Sequence, residues 1–192
     1  MSGRRALHPD SIVEESIAII REKGVAALSM RALATRLHVT APALYAHFRN
    51  RDALLRACAQ VGYDEIDARF RKEQPASALD MIWVSSRSYV RFALDEPALF
   101  SLMFMYRPDA IEISVEADVE HRGASTVFDA MLENLAQAMQ DGDLATADPL
   151  AYGLALWAAV HGVATVAGLA PGLDVDGLLD DVVGGLLAGW RA

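Results

Sequence analysis

An internal disulfide is excluded, because the sequence of 192 residues holds a single cysteine, Cys58. A lone cysteine is consistent with a reducing cytosol. No apolar run follows Arg4 and Arg5 near the amino terminus, so we expect no signal peptide. Together these absences predict a cytoplasmic protein.

The signatures of common catalytic and metal sites are also missing. Serine, histidine and aspartate occur, but no nucleophile elbow, phosphate-binding glycine loop or zinc-ligand spacing surrounds them. Glu112, Glu116 and Glu120 stand four residues apart beside His121, yet no second helix offers a matching Glu-x-x-His pair. We interpret them as a solvated acidic face and predict no catalytic residue, no metal site and no cofactor.

Strand-like alternation of useful length is absent, as are repeats and low-complexity tracts. Hydrophobic residues make up 53% of the chain and charged residues 22%, which favours a folded core over disorder. Apolar residues recur at helical spacing, so we predict an all-α protein with an amino-terminal three-helix domain and a larger helical domain. The main helices are expected at about 9–24, 51–72, 76–95, 115–140, 149–168 and 176–190.

Two short helical patterns meet across a tight break between residues 28 and 48. Ser29 can cap the first helix and Thr40 the second, which would run to Phe48. The break at residues 37–39 is about three residues long, which fits a helix-turn-helix. The positions expected to face inward are Leu33, Leu37, Leu44 and Phe48.

The outward positions of this segment carry chemistry suited to duplex DNA. In a helix-turn-helix the second helix lies in the major groove while the first crosses the backbone. Hydroxyl and imidazole groups can donate to phosphate oxygens, arginines add charge, and small apolar side chains let the backbone approach thymine methyls. The predicted DNA-binding residues are Arg31, Thr40, Ala41, Pro42, Tyr45, His47 and Arg51, with Arg49 as a flanking charge.

Basic residues are outnumbered, which gives the chain a net charge of -9, but they are unevenly distributed. Residues 1–56 hold nine Lys or Arg against five Asp or Glu, a balance of +4, whereas the remainder has a balance of -13. A basic end on an acidic body should bring only that end to DNA, because the rest is repelled.

The pattern that ends this segment is longer than a helix pair. The run LYAHF at residues 44–48 is followed three positions on by a basic residue, Arg51, and then by a leucine pair at 54–55. This pattern closely resembles the amino-terminal DNA-binding domain of the TetR family of transcriptional regulators. One residue departs from the family pattern: His38 stands where a glycine is usual, in a turn that needs a left-handed backbone. The steric cost is about 1 kcal/mol, which we expect to be tolerated.

The resemblance implies a dimeric transcriptional regulator, most often a repressor, that leaves a roughly palindromic operator when a small-molecule effector binds. It implies that residues 1–56 bind DNA and that residues 57–192 bind the effector and dimerise. The helices near 149–168 and 176–190 resemble the pair that forms a four-helix dimer interface in the family. The pattern Trp157-x-x-x-His161-Gly162 strengthens that likeness.

Residues 150–173 contain no Asp, Glu, Lys or Arg, and about twenty such residues could span a bilayer. Weakly apolar Ala and Gly, His161 in the middle, Pro171-Gly172 near one end and the lack of basic flanks argue against a transmembrane helix. We therefore predict no membrane association, and a helix buried on several sides at a subunit interface.

Large side chains of the second domain form a candidate effector pocket. Methionine and aromatic side chains fill irregular spaces well, so the same residues could equally form an ordinary core. The resemblance favours a pocket whose ligand is mostly apolar. His161 by itself is more typical of a hydrogen-bonded core histidine than of a ligand contact. The candidates are Trp83, Phe92, Met103, Phe104, Phe128, Met131, Trp157 and His161.

Two other functions stay open from the sequence. The first is an all-helical enzyme or metal-binding protein in which the basic amino-terminal segment is incidental. The second is a small-molecule sensor that has lost DNA binding. Specific, salt-sensitive binding to the DNA upstream of its own coding region would separate the regulator from both. Activity that survives removal of residues 1–56 would support the enzyme.

Overall fold

The computed structural model describes residues 7–106 and 122–191, with side chains from residue 127 onward in the second range. Across these residues the chain is helical and contains no strand, which confirms the all-α class. A 3-10 turn, Val25–Ala27, joins the first two helices. The helices are α1 (Pro9–Lys23), α2 (Met30–Arg36), α3 (Ala41–Tyr45), α4 (Arg51–Lys72), α5 (Ala78–Asp95), α6 (Pro97–Phe104), α7 (Arg122–Gln140), α8 (Pro149–Leu169) and α9 (Val175–Gly189).

The chain divides into two compact units. The first contains α1 to α3, α4 as far as Gly62, and α6 from Ala98. The second contains the rest of α4, α5, and α7 to α9. The domain boundary predicted after residue 56 falls within α4 and stays a prediction.

Some features of the sequence lie outside the described residues. They are Arg4, Arg5, the start of the helix expected from residue 115, and the acidic set of Glu112, Glu116, Glu120 and His121. The helix expected at 115–140 is described from Arg122 to Gln140.

Helix α1 is buried on more than one side. Helical spacing predicts one apolar stripe through Val13, Ile17 and Ile20, but Val13 is half-buried while Ile12 and Ile19 are buried. The reason is that α1 packs against both the 3-10 turn and α2, so a wider face is covered than one amphipathic stripe supplies. Pro9 lies in its first turn and Gly24, with φ of 78°, ends it as expected.

Helix α8 is the centre of the second unit, because it packs against α5, α7 and α9. Gly153 has to be small there, since a β-carbon would overlap the side chain of Leu132 on α7. Among the described helices only α8 is long and apolar enough to cross a membrane by length and composition. Packing against three neighbours is also what a core helix of a helical domain shows.

Two ion pairs join helix α9 to helix α5. Arg87 donates to Asp180 at 2.8 Å and Arg91 to Asp176 at 3.1 Å. One turn beyond the Arg87–Asp180 pair, Trp83 of α5 lies over Gly184 of α9, 3.6 Å from where a β-carbon would stand. The ion pairs are exposed and worth little each, so they orient α9 more than they stabilise it.

Candidate functional site

The turn between α2 and α3 has the backbone that the sequence predicted. His38 has φ of 55°, so the left-handed conformation is adopted without glycine. The turn is closed by two hydrogen bonds, from the Val39 amide to the Ala34 carbonyl at 2.9 Å and from the His38 amide to the Thr35 carbonyl at 3.2 Å. Two such bonds end a helix and direct the chain into the next one.

The two predicted helix caps behave differently. Ser29 caps α2 as expected, accepting a hydrogen bond from the Ala32 amide at 3.1 Å. The predicted side-chain cap by Thr40 is wrong: Thr40 occupies the cap position of α3, but its side chain accepts no cap hydrogen bond. Pro42 has no amide proton to offer, and the Ala43 amide donates to the Thr40 carbonyl at 3.0 Å instead. The Thr40 side chain therefore lies exposed on the surface.

Helix α3 is shorter than the predicted range of 40–48 and exposes one side. It ends at Tyr45, after which the amides of His47 and Phe48 both donate to the Leu44 carbonyl. Leu44 is fully buried, whereas the neighbouring Tyr45 is 51% exposed. Leu44 therefore anchors α3 in the unit, while the Tyr45 side chain is accessible at the surface.

The predicted DNA-binding residues are exposed, with two exceptions. Arg31, Thr40, Pro42, Tyr45 and His47 are exposed, as is the flanking Arg49. Ala41 is half-buried in the first turn of α3. Arg51 is also half-buried and its guanidinium points into the protein, where Nε donates to the Leu28 carbonyl at 2.7 Å and Nη2 to the Val25 carbonyl at 2.8 Å.

Arg36 is a second arginine that the protein uses internally, and the sequence analysis missed it. Its guanidinium bonds both carboxylate oxygens of Glu22, each at 2.7 Å, and also bonds Glu15. The hydrogen bond with Arg36 lowers the pKa of Glu22, and those with Glu22 and Glu15 raise the pKa of Arg36. Arg36 therefore ties α2 to α1. The only signal in the sequence was that an arginine on one helix could reach two carboxylates on the preceding helix.

The predicted effector-pocket residues fall in separate places. Met103 and Phe104 belong to α6 in the first unit, where Met103 lies against Gly62 of α4. Phe92 is fully buried beneath the Arg69 guanidinium, which is 5.2 Å from its ring centre. Trp83 covers Gly184 on α9. Phe104 packs on Phe100, with ring centres 4.8 Å apart, so each of these four side chains serves a separate local contact.

The remaining candidates come together around a tyrosine that the sequence analysis did not select. The rings of Phe128 and Trp157 meet edge to face with centres 6.4 Å apart, and those of Trp157 and His161 are 5.6 Å apart. Tyr89 Oη lies 3.0 Å from His161 Nδ1. We call Tyr89, Phe128, Trp157 and His161 the aromatic cluster. Met131 of α7 lies nearby, because it borders Gly153, and Gly153 belongs to the same helix as Trp157.

The polar groups of the aromatic cluster are kept neutral by burial. Burial raises the pKa of Tyr89, and a hydrogen bond with Trp157 opposes that rise only in part. Burial also lowers the pKa of His161. The cluster therefore presents hydroxyl, indole and imidazole hydrogen-bonding groups among apolar rings, without a net charge near neutral pH.

A stability measurement can test the burial of His161. Its pKa is depressed in the folded state, so the unfolded chain takes up a proton more readily as the pH falls below about 6.5. We expect this contribution to stability to be present above that pH and to be lost below it. The His161→Gln variant, which keeps a hydrogen-bonding partner for Tyr89, should lose less stability than the parent between about pH 7 and 5.5. Urea unfolding at each pH measures these losses. Equal losses in the variant and the parent would contradict the burial of His161.

Known protein families match both parts of the chain. The profile of bacterial regulatory proteins of the tetR family matches residues 12–58. The profile of tetracyclin repressor-like carboxy-terminal domains matches residues 82–185, which is more than half of the chain. The chain belongs to the TetR family. It is thus a DNA-binding transcriptional regulator with a helix-turn-helix domain at its amino terminus.

Individual TetR-family relatives show how the likeness is distributed. The class A tetracycline repressor of Escherichia coli is 46% identical over 54 residues, which are 28% of this chain and 25% of that repressor. A helix-turn-helix-type transcriptional regulator of Mycobacterium tuberculosis is 28% identical over 188 residues, covering 96% of this chain and 82% of the other. The structure of a protein of unknown function from Rhodococcus sp. RHA1 superposes with a TM-score of 0.83 at 24% identity, covering all of both chains.

TetR-family membership bears on two alternatives that the sequence left open. Helix α8, the apolar helix long enough for a membrane, lies wholly within the matched carboxy-terminal domain. The family consists of transcriptional regulators, so the enzyme hypothesis has no support from the relatives. Within the described residues no group of three or more His, Cys, Asp or Glu side chains is placed to hold a metal ion.

Proposed function

We propose that this TetR-family chain is a cytoplasmic, homodimeric repressor that leaves its operator when a small, mostly apolar effector binds. Residues 1–56 would bind DNA, and residues 57–192 would bind the effector and form the dimer. The observation that carries the proposal is the exposed side of the helix-turn-helix, where Tyr45 projects beside a buried Leu44. Repression is supported by the likeness to a tetracycline repressor.

DNA binding would use the exposed surface of α3 and its flanks. Tyr45, His47 and Thr40 can donate to phosphate oxygens, and Arg31 and Arg49 add charge on the same unit. Ala41 and Pro42 leave the start of α3 narrow enough to approach base edges. A dimer with twofold symmetry then requires a roughly palindromic double-stranded operator, with half-sites spaced by whole helical turns.

Dimerisation is supported by an apolar stripe along α8. Positions three or four residues apart on this helix stay exposed in the single subunit, and two of them are large: Val166 is 45% exposed and Leu169 78%. The others are small, which allows two helices to approach closely. The stripe consists of Ala151, Ala155, Ala158, Gly162, Val166 and Leu169, and α9 adds Gly185, Ala188 and Gly189.

Effector binding is proposed at the aromatic cluster. Phe128 and Trp157 offer apolar surface, and His161 is only half-buried. A mostly apolar molecule with one or two hydrogen-bonding groups would match this mixture of rings with Tyr89 and His161. Met131 stays a candidate because it borders the same helix, whereas Phe92 serves as core.

A binding titration with the DNA upstream of the coding region tests the proposal. The fluorescence anisotropy of a labelled duplex should report specific binding whose affinity falls linearly with salt on logarithmic axes. A scrambled duplex of the same length is the control. Equal affinity for both duplexes would contradict a sequence-specific regulator.

Tyr45→Phe should weaken operator binding without unfolding the protein. The variant removes only an exposed hydroxyl, so the expected loss is about 0.5–1.5 kcal/mol for each half-site. The slope of affinity against salt should stay the same, because no charge is removed. Tyr106→Phe is the matched control, since Tyr106 is 47% exposed in the same unit but lies outside the helix-turn-helix. Equal effects of the two variants would argue against a contact by Tyr45.

A further inference from the structure

Arg51 holds together the two ends of the segment that contains the helix-turn-helix. The side chain starts from the first residue of α4, just after that segment. Its acceptors are the carbonyls of Val25, which begins the 3-10 turn, and of Leu28, which follows that turn and directly precedes Ser29, the cap of α2. The two hydrogen bonds therefore close the chain between residues 28 and 51 into a loop.

One edge of the Arg51 guanidinium is already occupied. Nε and Nη2 form one edge of the planar group, and this edge faces the two carbonyls at 2.7 and 2.8 Å. A phosphate is bound in the same bidentate way, so it would compete for this edge. Val25 and Leu28 are themselves buried, which makes the loss of a partner for their carbonyls costly.

Two other arginines of this region, Arg31 and Arg49, are placed differently. Arg31 and Arg49 are exposed, on either side of α3 in the sequence. Arg49 lies only two residues from Arg51 and carries the same charge. Variants of Arg51 and Arg49 can therefore be compared, because the same guanidinium group points into the protein at Arg51 and is exposed at Arg49.

We infer that Arg51 is a positioning residue for DNA binding, and that it acts by clasping the helix-turn-helix instead of binding phosphate. The clasp fixes the start of α2 relative to the start of α4, and thereby the path of α3 between them. The inference rests on the proposed function, because it concerns how the same surface reaches DNA. It assigns Arg51 a role different from the one that its sequence position suggested.

The slope of operator affinity against salt concentration distinguishes a clasp from a phosphate contact. Arg51→Gln in the full chain should lower affinity about tenfold or more while leaving the slope unchanged, since no phosphate contact is lost. Arg51→Lys keeps the charge but loses the bidentate edge, and should not restore affinity. A slope reduced by about one for each subunit, or full affinity in Arg51→Lys, would overturn the inference.

Hydrogen exchange in the DNA-free protein provides a test that does not depend on operator binding. The amides of Ala32 and Leu33 belong to the first turn of α2 and should exchange faster in Arg51→Gln than in the parent. Arg49→Gln is the matched control and should leave them unchanged. Unchanged exchange in Arg51→Gln would overturn the clasp. If the parent binds no DNA but these amides respond as expected, the proposed function fails while the clasp stands.

Discussion

Gly162→Glu is expected to turn the proposed dimer into a monomer and to weaken operator binding by about 10²–10⁴-fold. Gly162 lies within the exposed stripe of α8, where a second subunit would bring its own helix close. A charge buried at such a contact without a partner is strongly destabilising to the dimer. A monomer then binds one half-site at a time and loses the advantage of two linked contacts.

The single subunit should tolerate this change, so the effect can be assigned to the interface. A β-carbon at Gly162 meets no heavy atom within 4 Å, apart from the neighbouring residues and the helix's own backbone. Replacing glycine inside a helix also stabilises the helix by roughly 0.5 kcal/mol or more. Sedimentation should give a monomer with an unchanged helical circular dichroism spectrum.

Ala68→Glu is the matched control for Gly162→Glu. Ala68 is exposed on α4, and the variant adds the same charge to the acidic part of the chain. It should remain dimeric and bind the operator like the parent. A Gly162→Glu protein that is still dimeric would contradict the placement of the interface on α8.

Phe92→Ala should lower the free energy of unfolding of the second unit by about 3–5 kcal/mol. Phe92 is fully buried on α5 and lies under the Arg69 guanidinium, which also pairs with Asp95 at 2.8 Å. Truncation leaves a cavity and removes the ring beneath that cation, so both losses add.

The stability of Phe92→Ala is measured by urea unfolding, monitored by tryptophan fluorescence. All three tryptophans, Trp83, Trp157 and Trp190, lie in the second unit, so the signal reports on that unit alone.

Phe128→Ala provides the comparison for Phe92→Ala. Phe128 is half-buried in the aromatic cluster, so its truncation should cost less stability. If the cluster binds the effector, Phe128→Ala should also reduce the rise in stability that an effector produces. A larger stability loss from Phe128→Ala than from Phe92→Ala would contradict the division between core and effector site.

Local features of the helix-turn-helix were predictable because their causes lie within a few residues. The cap by Ser29 follows from short-range spacing, and the left-handed backbone at His38 was implied by the resemblance to the TetR family, which usually has a glycine in this turn. The error at Thr40 also has a local cause: Pro42 removes one of the two amides that a cap can bind, and the other, that of Ala43, donates to the Thr40 carbonyl. The missing amide of Pro42 could be read from the sequence, whereas the backbone hydrogen bond of Ala43 could not.

The sequence could not divide the candidate effector-pocket residues between core and site, for a different reason. Methionine and aromatic residues look alike in a sequence whether they fill a core or line a site, so Phe92, Met103 and Phe128 were grouped together. The structure places Met103 on Gly62 in one unit and Phe92 and Phe128 in the other. Only the packing of helices separates these contacts, because composition carries no record of which helix is the neighbour.

The sequence by itself determined the helices, the turn that joins α2 to α3, the family and the charge of the DNA-binding end. These features depend on residues close together in the chain, where spacing and residue type are sufficient. The tertiary structure alone decided the partners of Arg51, 23 and 26 residues away, and the pairing of Tyr89 with His161 across 72 residues. Such partners are chosen by how helices pack, and a donor in a sequence does not specify which distant acceptor the fold will bring to it.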